Sequence, residues 1–272
     1  MSDTHESGRG KAWLAVLGGN APRLPGFPAS VQVVDIETGG RAARLIAVVP
    51  DANSAFPRAR NGEVGLQEGW SLAQAVHEAI DADRDAPVKR AIIAIVDTPS
   101  QAYGRREEAF GIHQALASAA AAYASARLQG HPVIALLVGK AMSGAFLAHG
   151  YQANRILALA DPGVLVHAMG KEAAARITLR SVEELEAFAA TVPPMAYDID
   201  SYATLGLLWR TIPVQHAAAP TPADVSAVQA VLCDALADID ADPHRDLRGR
   251  LGGENRSASR RVRAVLASQW QG

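Results

Sequence analysis

The sequence predicts an α/β fold: a mostly parallel sheet covered by helices. Ala91–Val96 and Val133–Val138 are unbroken apolar runs of strand length, the pattern of strands buried on both faces of a sheet. Between them lies Arg105–Leu128, an Ala-rich stretch with almost no breaker that reads as one long helix. Strand and helix go on alternating through the middle of the chain, as helices packed on a parallel sheet require.

From the N-terminus, Trp13–Leu17 is an apolar run set among Gly and Pro punctuation. Val31–Ile36 and Leu45–Val49 are rich in Val and Ile and read as strands, with Gly39-Gly40 turning the chain between them. Asp51–Gly69 has no period and reads as a long loop. Ser71 followed by Gln74 is a capping-box pattern that predicts a helix from there to about Ala82. Beyond the two buried runs, Ile156–Leu159 and Val164–Val166 read as short strands and Gly170–Ile177 as a helix. Ser181 followed by Glu184 opens a helix to about Ala190, and Pro193-Pro194 breaks it. Leu207–Val214 holds a last short strand. Thr221-Pro222-Ala223-Asp224 is a capping Thr, a Pro at the first helical position and an acid in the first turn. That helix runs to about Ile239, and a final one covers about Ser257–Ser268. No repeat of solenoid spacing is present.

With 272 residues, about half of them apolar, the chain can bury one large core. We expect a single domain, its core over about residues 30–215 and its C-terminal helices over about 221–268. The net charge of -2 gives no global argument for a nucleic-acid or anionic-membrane partner. The one cysteine, Cys233, forms no internal disulfide and reads as a small buried residue on a helix. No apolar run is long enough to span a membrane. Met1–Lys11 is polar and lacks the apolar segment of a secretory signal, so a cytoplasmic location is expected. Histidines are scattered without metal-ligand spacing, so no metal site is expected. Gly18-Gly19-Asn20 lacks the rest of a dinucleotide fingerprint. A Gly-x-Ser-x-Gly elbow is absent, which leaves serine hydrolysis without support.

The stretch that carries chemistry is Val138–Phe146. A buried strand ends, Gly139–Gly144 reads as a turn, and a helix begins at about Ala145. A helix start exposes backbone N–H groups with no intrahelical partner. Small residues at Gly144 and Ala145 let a ligand oxygen approach them, which is how an oxyanion hole is built without a charged side chain. A packing glycine would give the same local pattern, so the junction alone leaves both readings open.

Three ordered blocks add to it. Asp97-Thr98-Pro99 ends a strand, as in the Asp-Thr-Pro-Gly block of the carboxyltransferase branch of the crotonase superfamily. Lys140–Phe146 resembles the Lys-Ala-Phe-Gly-Gly-Ala-Tyr block of that branch. Val166–Gly170 with Ala173–Ile177 is similar to its Val-Met-Gly-x-x-Gly-Ala segment. Within the branch, Asp97–Glu108 and Gly139–Phe146 look like the γ subunits of biotin-independent malonate decarboxylases. The likeness is good over about Ala91–Ile177 and looser on the flanks. Ser100 replaces the glycine that comes after Pro99 in the wider family, and Ser143 replaces the first glycine of the Gly-Gly-Ala block.

The resemblance implies a crotonase-like fold, a repeated ββα superhelix with covering helices. It implies a partner, a homologous β subunit, and an acyl-carrier subunit whose dephospho-coenzyme-A-derived arm holds the thioester, with no cofactor on this chain itself. The implied reaction is loss of CO₂ from a malonyl thioester to leave an acetyl thioester. The enolate formed on the way puts its charge on the thioester oxygen, so stabilising an oxyanion is the central task. Gly144 and Ala145 would grip either the departing carboxylate or a carbonyl oxygen. Pro99, Ser100, Gly139, Lys140, Met142, Met169 and Gly170 would line the substrate site. Proton delivery needs a donor, and the candidates are Ser143, Tyr103, His149 and His167. Each has a plainer reading: a helix cap for Ser143, loop packing for Tyr103, a satisfied structural imidazole for either histidine. Arg245, Arg248, Arg250, Arg256, Arg260, Arg261 and Arg263 form a local basic patch, suited to phosphates, to an acidic carrier, or simply to a solvated helix face. The alternatives in function are a carboxyltransferase subunit of a biotin-dependent enzyme, and a non-catalytic scaffold subunit.

Overall fold

The computed structural model describes residues 8–270. Residues 1–7 of the polar N-terminal stretch lie outside them. Seven strands form one sheet: β1 (Val31–Thr38), β2 (Arg41–Val48), β3 (Ala91–Thr98), β4 (Val133–Met142), β5 (Arg155–Leu159), β6 (Leu165–His167) and β7 (Arg210–Ile212). Their order is β1-β2-β3-β4-β5-β7, with β6 paired to the far end of β4. Only β1 and β2 pair antiparallel, through the hairpin at Gly39-Gly40; every other pairing is parallel. Every position of β3 is buried, as its unbroken apolar sequence predicts for a central parallel strand.

Ten α-helices accompany the sheet among the described residues. They are α1 (Arg9–Gly18), α2 (Leu66–Ala82), α3 (Arg105–Ala109), α4 (Ile112–Leu128), α5 (Ser143–Ala148), α6 (Lys171–Ile177), α7 (Val182–Ala189), α8 (Ile199–Ala203), α9 (Pro222–Ala241) and α10 (Ser257–Trp270). One contiguous core runs from Trp13 on α1 to Ile239 on α9. α2 and α4 pack closely because both are small where they meet: a Cβ at Gly69 would stand 2.8 Å from the Ala115 backbone. The caps read at Ser181 and Thr221 are formed, each hydroxyl accepting the N–H of the residue three positions on.

Four local expectations are corrected. α2 starts at Leu66, not Ser71, so the loop after Asp51 ends earlier. The capping carboxylate is that of Glu68, which accepts from Gly65 N–H (3.0 Å) and from the Ser30 hydroxyl (2.6 Å). Ser71 sits buried inside the helix. The long helix of 105–128 is two helices, because Gly111 at φ 83° breaks the turn before Ile112. Gly139–Gly144 is not a turn: β4 runs on to Met142 and α5 begins at once at Ser143. Cys233 is half-buried on α9 rather than buried.

Candidate active site

The site lies where β3 and β4 end side by side. The parallel register slips between Val96 and Thr98, so Asp97 is pushed out of the ladder. Its buried carboxylate accepts from Lys140 N–H (3.1 Å) and, on α1, from Gly10 N–H (3.2 Å). A Cβ at Gly139 would overlap an Asp97 carboxylate oxygen, so any side chain there would displace that carboxylate from its hydrogen bonds. Asp97, Gly139 and the Lys140 amide thus bracket the two strand ends, and the bracket aims the end of β4 into α5.

The passage from β4 to α5 is an abrupt strand-to-helix corner at Ser143. Its φ of 57° lies in the left-handed region, which costs a non-glycine residue about 1–2 kcal/mol. This is the position where the wider family has glycine. Met142 is the N-cap of α5 and Ser143 its first residue, so the plain reading of Ser143 as the helix cap does not hold. One residue on, Gly144 N–H donates to the side-chain carbonyl of Gln101 at 2.9 Å. A Cβ on Gly144 would sit 3.4 Å from the same oxygen and 3.5 Å from Leu116. Ala145 is buried behind it. Gln101 is half-buried. Its backbone is fixed by a bridge to Val64, while Gly144 N–H is its side chain's one hydrogen-bond partner among the described residues.

β6 brings the third block to the same corner, with His167 in register with Met142. Ser143, Gly144, Phe146, Tyr151, His167 and Tyr202 line a common cavity of about 310 Å³. The His167 ring stacks on Tyr197 with centroids 3.9 Å apart, and its Nδ1 lies 2.9 Å from Met169 O and 3.1 Å from Met169 N. Burial pushes this imidazole below its ordinary range, against the backbone hydrogen bond that raises it. The shift favours the neutral ring, which offers a hydrogen bond rather than a stored proton. Tyr202 is nearly buried, and its hydroxyl has no partner among the described residues.

The remaining sequence candidates are spread around this corner. Pro99 and Ser100 stay half-buried beside Gln101, with the Ser100 hydroxyl donating to Gln101 O at 3.0 Å. Met142 is buried just before the corner. Met169 packs against Ala174, Ala175 and Leu185, and Gly170 precedes α6; the cavity wall there is His167 and Ala168 instead. Tyr103 is exposed and stands outside the cavity wall. His149 is a core residue. Its Nδ1 lies 3.0 Å from the Tyr123 hydroxyl and its Nε2 3.1 Å from Ile95 O. Those partners fix a neutral tautomer, and full burial pushes its pKa down to about 4. Gln101, Tyr151 and Tyr202 do not stand out in the sequence. Gln101 lies inside the Asp97–Glu108 block, so its signal is present there but reads as loop. No group of three or more metal-ligating side chains occurs among the described residues, and no described helix is long and apolar enough to cross a membrane.

The fold is that of the crotonase-type carboxyltransferases. A transcarboxylase 12S chain superposes with a TM-score of 0.65 at 19% identity, over 85% of this chain and 41% of that one. Much nearer are two structures of Pseudomonas malonate decarboxylase: a hetero-tetramer in complex with coenzyme A (69% identity, TM-score 0.92) and the MdcD-MdcE hetero-dimer (66%, 0.89). Each match covers 96% of this chain and 99% of that chain. The family model for the malonate decarboxylase gamma subunit matches residues 59–270. This chain belongs to the malonate decarboxylase gamma subunit family. It is also 40% identical, over 157 residues, to the malonyl-S-ACP:biotin-protein carboxyltransferase MADD of Malonomonas rubra. That match takes in 57% of this chain and 54% of the relative, so it spans about half the length of that protein.

Proposed function

We propose that this chain is the γ subunit of a malonate decarboxylase and that, paired with a homologous β subunit, it converts a malonyl thioester on an acyl-carrier protein to the acetyl thioester and CO₂. The bond to the carboxylate breaks, its electron pair passes into the thioester carbonyl as an enolate, and a proton then adds at the α carbon. The backbone N–H groups of Gly144 and Ala145 hold an anionic oxygen during this sequence. The observation that carries the reading is the Gly144 N–H, presented at a strained corner and held by one neutral amide oxygen that an anion can displace. Hydrogen bonds to an ionised acceptor are about twice as strong as neutral ones, so a developing enolate wins that exchange where a ground-state carbonyl does not. Ser143 and His167 stand at the same cavity, Ser143 as a hydroxyl donor and His167 as a neutral partner. The carrier's dephospho-coenzyme-A-derived arm is substrate to this chain, which works as one domain in the cytoplasm.

A second reading is transfer of the carboxyl group to biotin, favoured by the likeness to the biotin-protein carboxyltransferase. CO₂ release from malonyl-carrier tests both. It is measured for the chain alone, for the chain with its β subunit, and for the pair with a biotin carrier. Biotin-independent release by the pair alone supports decarboxylation, whereas transfer to biotin replaces it with the second reading. Gly144→Val, which crowds the N–H without altering charge, is expected to lower kcat about a hundredfold or more. A folded variant with full activity would leave the chain a scaffold.

A further inference from the structure

Decarboxylation moves a negative charge. The malonyl thioester brings that charge on its free carboxylate, the carboxylate leaves as neutral CO₂, and the charge ends on the thioester oxygen. A site that favours the transition state stabilises the charge where it arrives and not where it starts. The cavity beside Gly144 is lined with that asymmetry. Ser143, Gly144 and His167 gather at the corner where β4, β6 and α5 meet. The rest of the wall is apolar, with Phe146 and Leu147 from α5, Val166 from β6, and Ala196 and Leu207. Tyr151 and Tyr202 add neutral rings, the first set edge-on to Phe146 at 5.4 Å and the second with its hydroxyl buried. Among the described residues no Lys, Arg, Asp or Glu lines this cavity. A carboxylate laid against such a wall gives up water and finds no counter-charge, which is costly. Neutral CO₂ bears no such cost.

α5 sets the spacing between the two ends. Leu147 follows Gly144 by three positions and lines the same cavity, so the two stand on one helix face about 4.5 Å apart along the axis. The carboxylate of a malonyl group is two bonds from the thioester carbonyl carbon. An acyl group with its carbonyl oxygen at Gly144 therefore turns its carboxylate toward Leu147. We propose that the Leu147 side of the cavity is the subsite for the departing carboxylate, an uncharged wall that raises the free energy of the bound anion and not that of CO₂. This rests on the thioester reading of the Gly144 corner and assigns the other end of the same acyl group. The C–C bond breaks, its electron pair passes to the thioester carbonyl, and CO₂ leaves along the apolar wall. The reverse orientation, with the carboxylate on the Gly144 N–H, would stabilise the group that has to lose its charge.

The test places a charge on that wall in the complex with the β subunit. Leu147 is 52% exposed, so it tolerates one. Calorimetry compares two thioesters on the carrier: acetyl, and sulfoacetyl, an anionic malonyl analogue with no CO₂ to lose. Leu147→Lys is expected to tighten sulfoacetyl-carrier about tenfold relative to acetyl-carrier, and Leu147→Glu to weaken it by a similar factor. Leu147→Met, which keeps the bulk, should leave the ratio alone. With malonyl-carrier, Leu147→Lys should lower KM and kcat together, because it stabilises the bound substrate and not the transition state. Ala196→Lys, on the same wall but off α5, carries the test if the Leu147 variants do not fold or pair. An affinity ratio that stays the same in the Lys and Glu variants overturns the proposal, and so does a tighter anion with unchanged or raised kcat. The affinity ratio needs no turnover. A shifted ratio in a complex that releases no CO₂ fails the decarboxylase reading and keeps the carboxylate at this wall, whereas CO₂ release with an unshifted ratio fails this proposal alone.

Discussion

Gly144 and Gln101 meet across 43 positions of sequence, and in the proposed oxyanion site that one hydrogen bond is the competitor a ligand has to displace. Gln101→Met keeps the bulk and removes the acceptor. Freed of a competitor worth about 1 kcal/mol, the N–H should accept the ground-state carbonyl, and KM for malonyl-carrier should fall about fivefold. Gln101→Glu supplies a charged acceptor that is harder to displace, so KM should rise. A merely structural side chain would move both variants the same way, together with the thermal midpoint. Ser143 gives a second test at this scale. Glycine at 143 would relieve the left-handed φ, so Ser143→Gly should gain about 1 kcal/mol in calorimetric stability. If the hydroxyl supplies the proton, the same variant loses kcat about a hundredfold or more; if it only turns the corner, kcat is retained.

At the scale of elements, His149 holds three of them together. It ends α5, takes the Tyr123 hydroxyl of α4 and binds the Ile95 carbonyl of β3. Its folded pKa, near 4, lies below the unfolded value of about 6.5. The unfolded chain therefore binds the proton first as pH falls. Stability from this group is fully present above pH 6.5 and is lost as pH drops toward 4. His131 and His167 are lowered in the same sense, while the raised Glu68 acts in the opposite one. The His149 share is isolated by difference. Urea midpoints measured from pH 7.5 to 4.5 should decline less steeply in His149→Gln than in wild type, and equal slopes would refute the assignment. The α3–α4 break has a simpler origin: the sequence around Gly111 favours helix throughout, and a single left-handed residue overrides it.

Across the whole molecule, the N-terminal helix belongs to the core. Trp13 is fully buried and donates through its indole N–H to Ala217 O, 204 positions away, at 2.8 Å. α1 also touches Asp97 through Gly10, so the clasp reaches the strand ends that aim the corner of the candidate site. Trp13→Ala should cost about 3–5 kcal/mol in urea unfolding. It should also loosen the corner, detected as a raised KM for malonyl-carrier before any loss of the folded state. A loss under 1 kcal/mol would mean that the helix is merely appended. α10 is the opposite case, with Val262, Val265, Leu266 and Trp270 all exposed.

Much of this architecture is written locally. The two apolar runs, the Gly39-Gly40 hairpin and the caps at Ser181 and Thr221 each depend on residues a few positions apart, and each forms as its sequence requires. The glycine junction and the three blocks likewise marked Gly144, Ser143 and His167 as parts of one region. Non-local contacts decided the rest. Ser71 and Gln74 carry a cap pattern, but the helix starts earlier because Glu68 finds Gly65 and Ser30. Gly139 reads as a turn residue or a ligand contact, yet its smallness serves Asp97 on the next strand. His149 reads in the sequence as either a proton donor or a satisfied structural imidazole, and Tyr123 and Ile95, closing around it, decide for the second. Gln101 reads as loop until Gly144 N–H reaches it, and four of the seven patch arginines (Arg248, Arg250, Arg256 and Arg263) come to one cavity only when the chain folds back on Tyr151. A sequence by itself fixes periodicity, caps and turns, because those depend on neighbours. Which donor meets which acceptor, and which charge loses its water, depends on residues that only the folded chain brings together.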